Sequence, residues 1–223
     1  MISREEKFKF DLEGYLVVKN VLATEEVAVM NRISDEMFTD EYDESFIRPR
    51  MRVSKWAAPF LGLIDHPPAL PYLVELLGPK FRIDHDYNMF MIKGSKHGRI
   101  HGGPAHVTGQ EGDHWYQCYN GVIRNGLTVF TYCLTPARPG DGGFICVPGS
   151  HKSNFVMDIP EEVRGQQRDA DYIVQPPVDA GDLIIFTEAL VHGTRAWTAD
   201  HERRSVLYKY SPGHSSWNQS YLN

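Results

Sequence analysis

Two histidines and one arginine are spaced as a metal centre with an anchored organic acid would need them. His101 lies in RIHGGPAH (99–106), after a loop rich in glycine and lysine. His192 ends the apolar run LIIFTEALVH (183–192), and Arg203 follows it by eleven residues. Imidazole is the commonest side-chain metal ligand and suits iron, zinc, copper and nickel. The arginine fork pairs bidentately with carboxylates. Two remote histidines on strands, with an arginine opening a later strand, point to a metal ion with a chelating organic acid beside it.

Such residues need a rigid frame, and the second part of the chain has the texture of one. FRIDHDYNMFMIK (81–93), GLTVFTYCLTPA (126–137), GGFICVPGS (142–150), AGDLIIFTEALVHGT (180–194) and RRSVLYKYS (203–211) are strand-like runs. Turn residues separate them: KGSKHG, RPGDGG, PGSHKSN, DAGD. Ahead of them, GYLVVKNVL (14–22) is rich in strand formers. Thr24 stands as a helix N-cap before Glu25 and Glu26, and Val27, Met30 and Ile33 recur at helical spacing, predicting an amphipathic helix over about 25–38. HPPALPYLVELLG (66–78) predicts a second helix, opened by proline and closed by Gly78. The pattern predicts one domain over 1–223: a helical part to about residue 80, then a β-sandwich or barrel over about 81–211. A barrel mouth is where a small-molecule site forms.

The bulk numbers narrow the partners. With 42% hydrophobic and 23% charged residues the 223-residue chain reads as globular. Its net charge of −6 argues against a general nucleic-acid or anionic-membrane binder. No apolar run is long enough to span a bilayer, and MISREEKFKF is charged, with no apolar stretch of signal-peptide type. Cys118, Cys133 and Cys146 form no CxxC pair, which suits a reducing cytoplasm. Cys133 and Cys146 read as small buried hydrophobes.

The sequence resembles the phytanoyl-CoA dioxygenase-like branch of the Fe(II)/2-oxoglutarate oxygenases nearly end to end. FDLEGYLVVKNVLATEEV resembles that family's opening strand and helix, and GDGGFICVPGSHKSN its central turn. AGDLIIFTEALVHGT and the following ERRSVLYKY resemble the segment carrying a distal histidine and the co-substrate arginine. The resemblance implies a double-stranded β-helix (jelly-roll, cupin-like) fold: an all-β core with helical cover. It implies His101 and His192 as Fe(II) ligands and Arg203 as the anchor of 2-oxoglutarate. It also suggests Thr194 and Thr131 as hydrogen-bond partners of that co-substrate. The implied activity is oxidation of a C–H bond in a small organic molecule.

The departure is Gly103. The family pattern is His-x-Asp, and here the sequence is His-Gly-Gly. A facial triad holds iron with two histidines and one carboxylate, so Gly103 removes a charge and leaves a position open. An anion would best restore the charge balance. In the wider superfamily His-x-Gly or His-x-Ala marks the non-haem iron halogenases, where chloride fills that position. Halogenation, with Gly103 as its determinant and chloride as a cofactor, is the favoured expectation, and Gly103→Asp would then restore the triad. The alternatives are a hydroxylase, using water or another ligand, and a metal- or carboxylate-binding module without turnover. His106, Glu111, Asp113 and His114 lie in the next loop as candidate replacement ligands. Glu188 is four residues before His192; on a continuous strand it would stand about 13 Å away, a poor ligand unless the strand ends first.

Other histidines have plainer readings. His151 in PGSHK reads as a turn residue and His85 as a polar group on an alternating strand. His66, His97, His201 and His214 read as exposed. Arg204 should point away from Arg203. HWYQCYN (114–120) is either a substrate-lining lid or an edge strand, and the tail after Ser211 is short for a C-terminal lid.

Overall fold

The computed structural model describes residues 2–38, 42, 47, 49–109 and 113–215. In chain order the elements are α1 (Arg4–Glu13), β1 (Tyr15–Val18), α2 (Thr24–Met37), α3 (Ala58–Leu61), α4 (Leu70–Leu77), β2 (Phe81–Met91), β3 (Gly98–His101), α5 (Ala105–Thr108), β4 (Tyr116–Tyr119), β5 (Val122–Asn125), β6 (Thr128–Cys133), β7 (Gly143–Cys146), α6 (Glu161–Arg164), β8 (Leu183–Thr187), β9 (His192–Arg195) and β10 (Arg203–Pro212). A five-stranded sheet has the order β1-β8-β6-β10-β2 and a three-stranded sheet the order β3-β9-β7. All their pairings are antiparallel, and β4 and β5 form a separate hairpin. The two facing sheets are the jelly-roll arrangement expected from the sequence.

Side-chain alternation divides the large sheet into two apolar faces. One face of β6, β8 and β10, with Phe130, Tyr132, Leu183, Ile185, Val206 and Tyr208, packs under the helices against Phe10, Met30, Phe60, Leu73 and Leu76. The other face, with Val129, Cys133, Ile184 and Phe186, meets Phe144 and Cys146 of the small sheet. Because both faces are covered, β6 and β8 are buried at every position, and their sequences are largely apolar rather than alternating, with threonines as the polar members. Cys133 and Cys146 are buried as expected, and burial pushes the Cys133 thiol up to about 12. Among the described residues no helix is long and apolar enough to cross a membrane.

Several details differ from expectation. Thr24 is the first residue of α2 rather than its cap; the Glu26 carboxylate accepts from the Ala23 N–H at 2.8 Å and takes over the capping role. The segment 14–22 does more than precede the barrel, since β1 joins the large sheet beside β8. The run 180–194 is two strands. β8 ends at Thr187, the chain turns through Glu188–Val191 with the Leu190 N–H donating to the Thr187 carbonyl at 2.8 Å, and β9 starts at His192 in the other sheet. His66 is buried beside Glu26 and Tyr132 rather than exposed. His151 does lie in a turn but is buried, its Nε2 donating to the Asp11 carbonyl at 3.1 Å. The segment 114–120 contributes one strand of the β4–β5 hairpin. Glu111 and the tail from residue 216 lie outside the described residues.

Candidate active site

His101 closes β3 and His192 opens β9, and the register pairs them directly across the small sheet. Their rings lie 4.4 Å apart, centroid to centroid. The two rings are oriented the same way. His101 Nδ1 donates to the Arg99 carbonyl at 2.8 Å and His192 Nδ1 to the Leu190 carbonyl at 2.7 Å. A carbonyl only accepts, so in each neutral ring the proton sits on Nδ1 and Nε2 keeps its lone pair. A backbone carbonyl fixing the tautomer in this way is the usual support for a metal-binding histidine. His192 is buried against Phe186 and Phe144, and burial pulls its pKa down to about 4 despite Glu188 nearby. His101 is on the exposed side, which leaves the pair open to solvent there.

Glu188 reaches this pair because β8 has ended. Its Oε2 is 3.8 Å from His192 Nε2 and 3.9 Å from His114 Nε2. Its Oε1 is 2.6 Å from Lys209 Nζ. Burial would raise the Glu188 carboxyl, but the Lys209 ammonium holds it well below its usual range. Burial also lowers His114. Lys209 lies over the Tyr87 ring, 5.6 Å from its centroid. Among the described residues, no group of three or more His, Cys, Asp or Glu side chains stands close enough, as placed, to hold a metal ion. Of the other candidate ligands, His106 is exposed on α5, while Asp113 sits beside His114 with Oδ2 buried and no hydrogen-bond partner among the described residues.

The two glycines after His101 shape the backbone. At Gly102 (φ +86) a Cβ would stand 2.5 Å from the Leu190 carbonyl oxygen and 3.1 Å from that of Glu188. Glycine there allows β3 to approach the turn that carries Glu188. Gly103 has φ +113, and a Cβ on it would meet Thr108 Cγ2 at 3.0 Å and Val156 Cγ2 at 3.1 Å. A side chain at 103 would therefore start out among methyl groups.

Arg203 opens β10 on the facing sheet and is fully buried. Among the described residues its one hydrogen bond is from Nη1 to Met91 Sδ, at 3.2 Å, and no carboxylate balances its charge. Gly143 (φ +85) leaves room for the guanidinium, since a Cβ there would lie 2.9 Å from Arg203 Nε. Arg203 lines a small cavity with Cys133, Thr135, Phe144, Ile184 and Ser205. Thr131 lies opposite Ile184 and Leu207, its Oγ1 buried without a partner among the described residues. Thr194 is on the same face of β9 as His192, opposite Gly98 and Phe144. Arg204 points the other way, to Glu202 and Asp35.

A family model described as phytanoyl-CoA dioxygenase (PhyH) matches residues 10–205. The chain belongs to the phytanoyl-CoA dioxygenase family. Solved structures share the fold of this family member. HygX from Streptomyces hygroscopicus, with nickel and 2-oxoglutarate bound, has a TM-score of 0.83 at 22% identity, covering 98% of this chain and 90% of that one. The same protein with hygromycin B also bound gives 0.83 at 23%, covering 97% and 90%. EctD from S. alaskensis with bound iron gives 0.70 at 19%, covering 94% and 76%. Among curated proteins, dioxygenase af480 of Aspergillus fumigatus is 28% identical over 79 residues, 35% of this chain. That match spans 24% of the relative's own length.

Two further residues of the site were not singled out in the sequence. Ser205 and Lys209 share the inward face of β10 with Arg203, at steps of two and six residues. Counting alternation from Arg203 would have found both.

Proposed function

We propose that this phytanoyl-CoA dioxygenase family member is an Fe(II)- and 2-oxoglutarate-dependent oxygenase acting on a C–H bond of a small organic molecule. The observation that carries the reading is the His101–His192 pair, with both rings fixed through Nδ1 and both Nε2 atoms left as donors. A buried guanidinium without a carboxylate, on the facing sheet, is the complementary half. The groups bound to HygX and EctD support the same ligand chemistry.

When bound, iron and 2-oxoglutarate supply dioxygen activation, with succinate and CO2 as the co-substrate's products. The protein's residues bind and orient. His101 and His192 hold the metal through Nε2. Arg203 takes the distal carboxylate of 2-oxoglutarate, with Ser205 in the same cavity as a neutral donor; the Thr131 hydroxyl, buried without a hydrogen-bond partner among the described residues, lies further along the sheet opposite Leu207. Thr194 lies on the His192 face. Phe144, Phe186 and Leu190 form a dry wall behind the site. Substrate enters on the exposed His101 side. Hygromycin B, bound in one HygX structure, is a small molecule, and the substrate proposed here is of that kind.

Oxygen insertion is favoured over halogenation. A carboxylate, Glu188, already stands 3.8 Å from His192, paired through its other oxygen with Lys209. The space beside Gly103 is bordered by methyl groups. The test is to load the protein with Fe(II) and 2-oxoglutarate without oxygen, admit oxygen, and measure succinate. Wild type forms it and His192→Ala does not; a wild-type protein that forms none is not an oxygenase.

A further inference from the structure

We propose that Glu188 supplies the carboxylate ligand that position 103 lacks, so that the metal is held by His101, His192 and Glu188. The inference rests on the reading of His101 and His192 as metal ligands and adds the third.

The first support is electronic. The Leu190 carbonyl fixes the His192 proton on Nδ1, so Nε2 presents a lone pair toward Glu188 Oε2, 3.8 Å away. His114 Nε2 approaches the same oxygen at 3.9 Å. His192 Nε2 and Glu188 Oε2 are two lone-pair atoms facing each other at this range, and a metal cation between them would be attracted to both. Ligand atoms each about 2.1 Å from one ion lie about 3.0–3.4 Å apart. Closing 3.8 Å to that separation takes about 0.4–0.8 Å, within a side-chain adjustment.

The second support is positional. Lys209 Nζ takes Glu188 Oε1 at 2.6 Å. That ion pair holds the carboxylate with Oε2, the other oxygen, toward His192 and His114. Lys209 is thus a positioning residue.

The third support is the glycine pair. Gly102 lets the end of β3 close onto the carbonyls of Glu188 and Leu190, and a Cβ there would prevent it. Gly102, the residue after His101, therefore sits against the backbone of the turn that carries Glu188.

The test uses Co(II) in place of iron, read by its visible ligand-field bands and by binding affinity. Glu188→Gln keeps the size of the side chain and removes its charge. We expect it to weaken Co(II) binding about tenfold or more and to change the bands, as loss of a ligand should. Because that substitution leaves Lys209 without its partner, the double variant Glu188→Gln/Lys209→Met is measured alongside it and is expected to show the same loss. His114→Ala is expected to leave the bands in place. Unchanged affinity and bands in both Glu188 variants, with binding lost in His192→Ala, would overturn the Glu188 assignment while leaving the histidine site standing. Loss in His114→Ala with Glu188→Gln intact would overturn it in favour of a three-histidine site. Binding insensitive to His101→Ala and His192→Ala would remove both the assignment and the site it rests on.

Discussion

Glu188 and His192 are four residues apart, and their side-chain heads meet at 3.8 Å because the chain leaves one sheet between them and enters the other. The turn that makes this contact also supplies the Leu190 carbonyl that orients the His192 ring. One short segment therefore positions a histidine, its tautomer and a carboxylate together.

Arg203 is buried with no carboxylate among the described residues. A buried cation in that state costs stability until a ligand pairs with it. Arg203→Met is expected to leave the melting temperature of the ligand-free protein unchanged or higher. It should weaken 2-oxoglutarate binding by about 3 kcal/mol, roughly a hundredfold. Calorimetric titration and thermal unfolding of the same two proteins separate these effects. A purely structural arginine would lower the melting temperature and leave affinity alone.

Gly103→Asp is the substitution that would complete a triad on sequence grounds. With φ +113 and Thr108 and Val156 methyls at 3.0 and 3.1 Å from a Cβ, we expect destabilisation instead. The left-handed backbone alone costs about 1–2 kcal/mol for a residue with a side chain. Urea unfolding measures it, and tighter metal binding in this variant would count against the geometry described here.

His151 gives the ligand-free protein a pH dependence. Burial, then Lys152, pulls its pKa down to about 4 from 6.5. As pH falls below 6.5 the unfolded chain takes up a proton that the folded chain refuses, so stability is present at neutral pH and declines toward pH 4. From pH 7 to pH 5 the loss is about 2 kcal/mol from this ring. His151→Gln should flatten that part of the stability profile, measured by urea unfolding at both pH values.

Product analysis separates the two outcomes of C–H oxidation. With chloride present during turnover we expect products that gain oxygen and lack the chlorine isotope pattern in mass spectra. A chlorinated product would show that the region near Gly103 accepts halide after all.

Much of this was legible in the residues. That His101, His192 and Arg203 stand at strand ends is legible from the apolar runs they bound, and strand ends are where a barrel collects its polar side chains. The jelly roll was readable from apolar runs punctuated by glycine and proline. Glu188 reads as a poor ligand in the sequence because LIIFTEALVH has no glycine or proline to mark the turn at 188–191, so its apolar pattern looks continuous. Thr24 misled because a carboxylate three residues beyond the cap position can replace a hydroxyl at it. Gly103 looked like a deleted ligand; its positive φ and the direction of its missing Cβ are properties of the backbone, which residue types alone do not carry.

The most direct test of the central claim is an anaerobic titration with Fe(II) and 2-oxoglutarate, followed by the visible absorbance of the metal–keto-acid chelate. We expect a band that saturates at one iron per chain in wild type, is absent in His101→Ala and His192→Ala, and needs far more 2-oxoglutarate in Arg203→Met. A wild-type protein that gives no band, or a band that survives loss of either histidine, would contradict the assignment of these residues to one iron site.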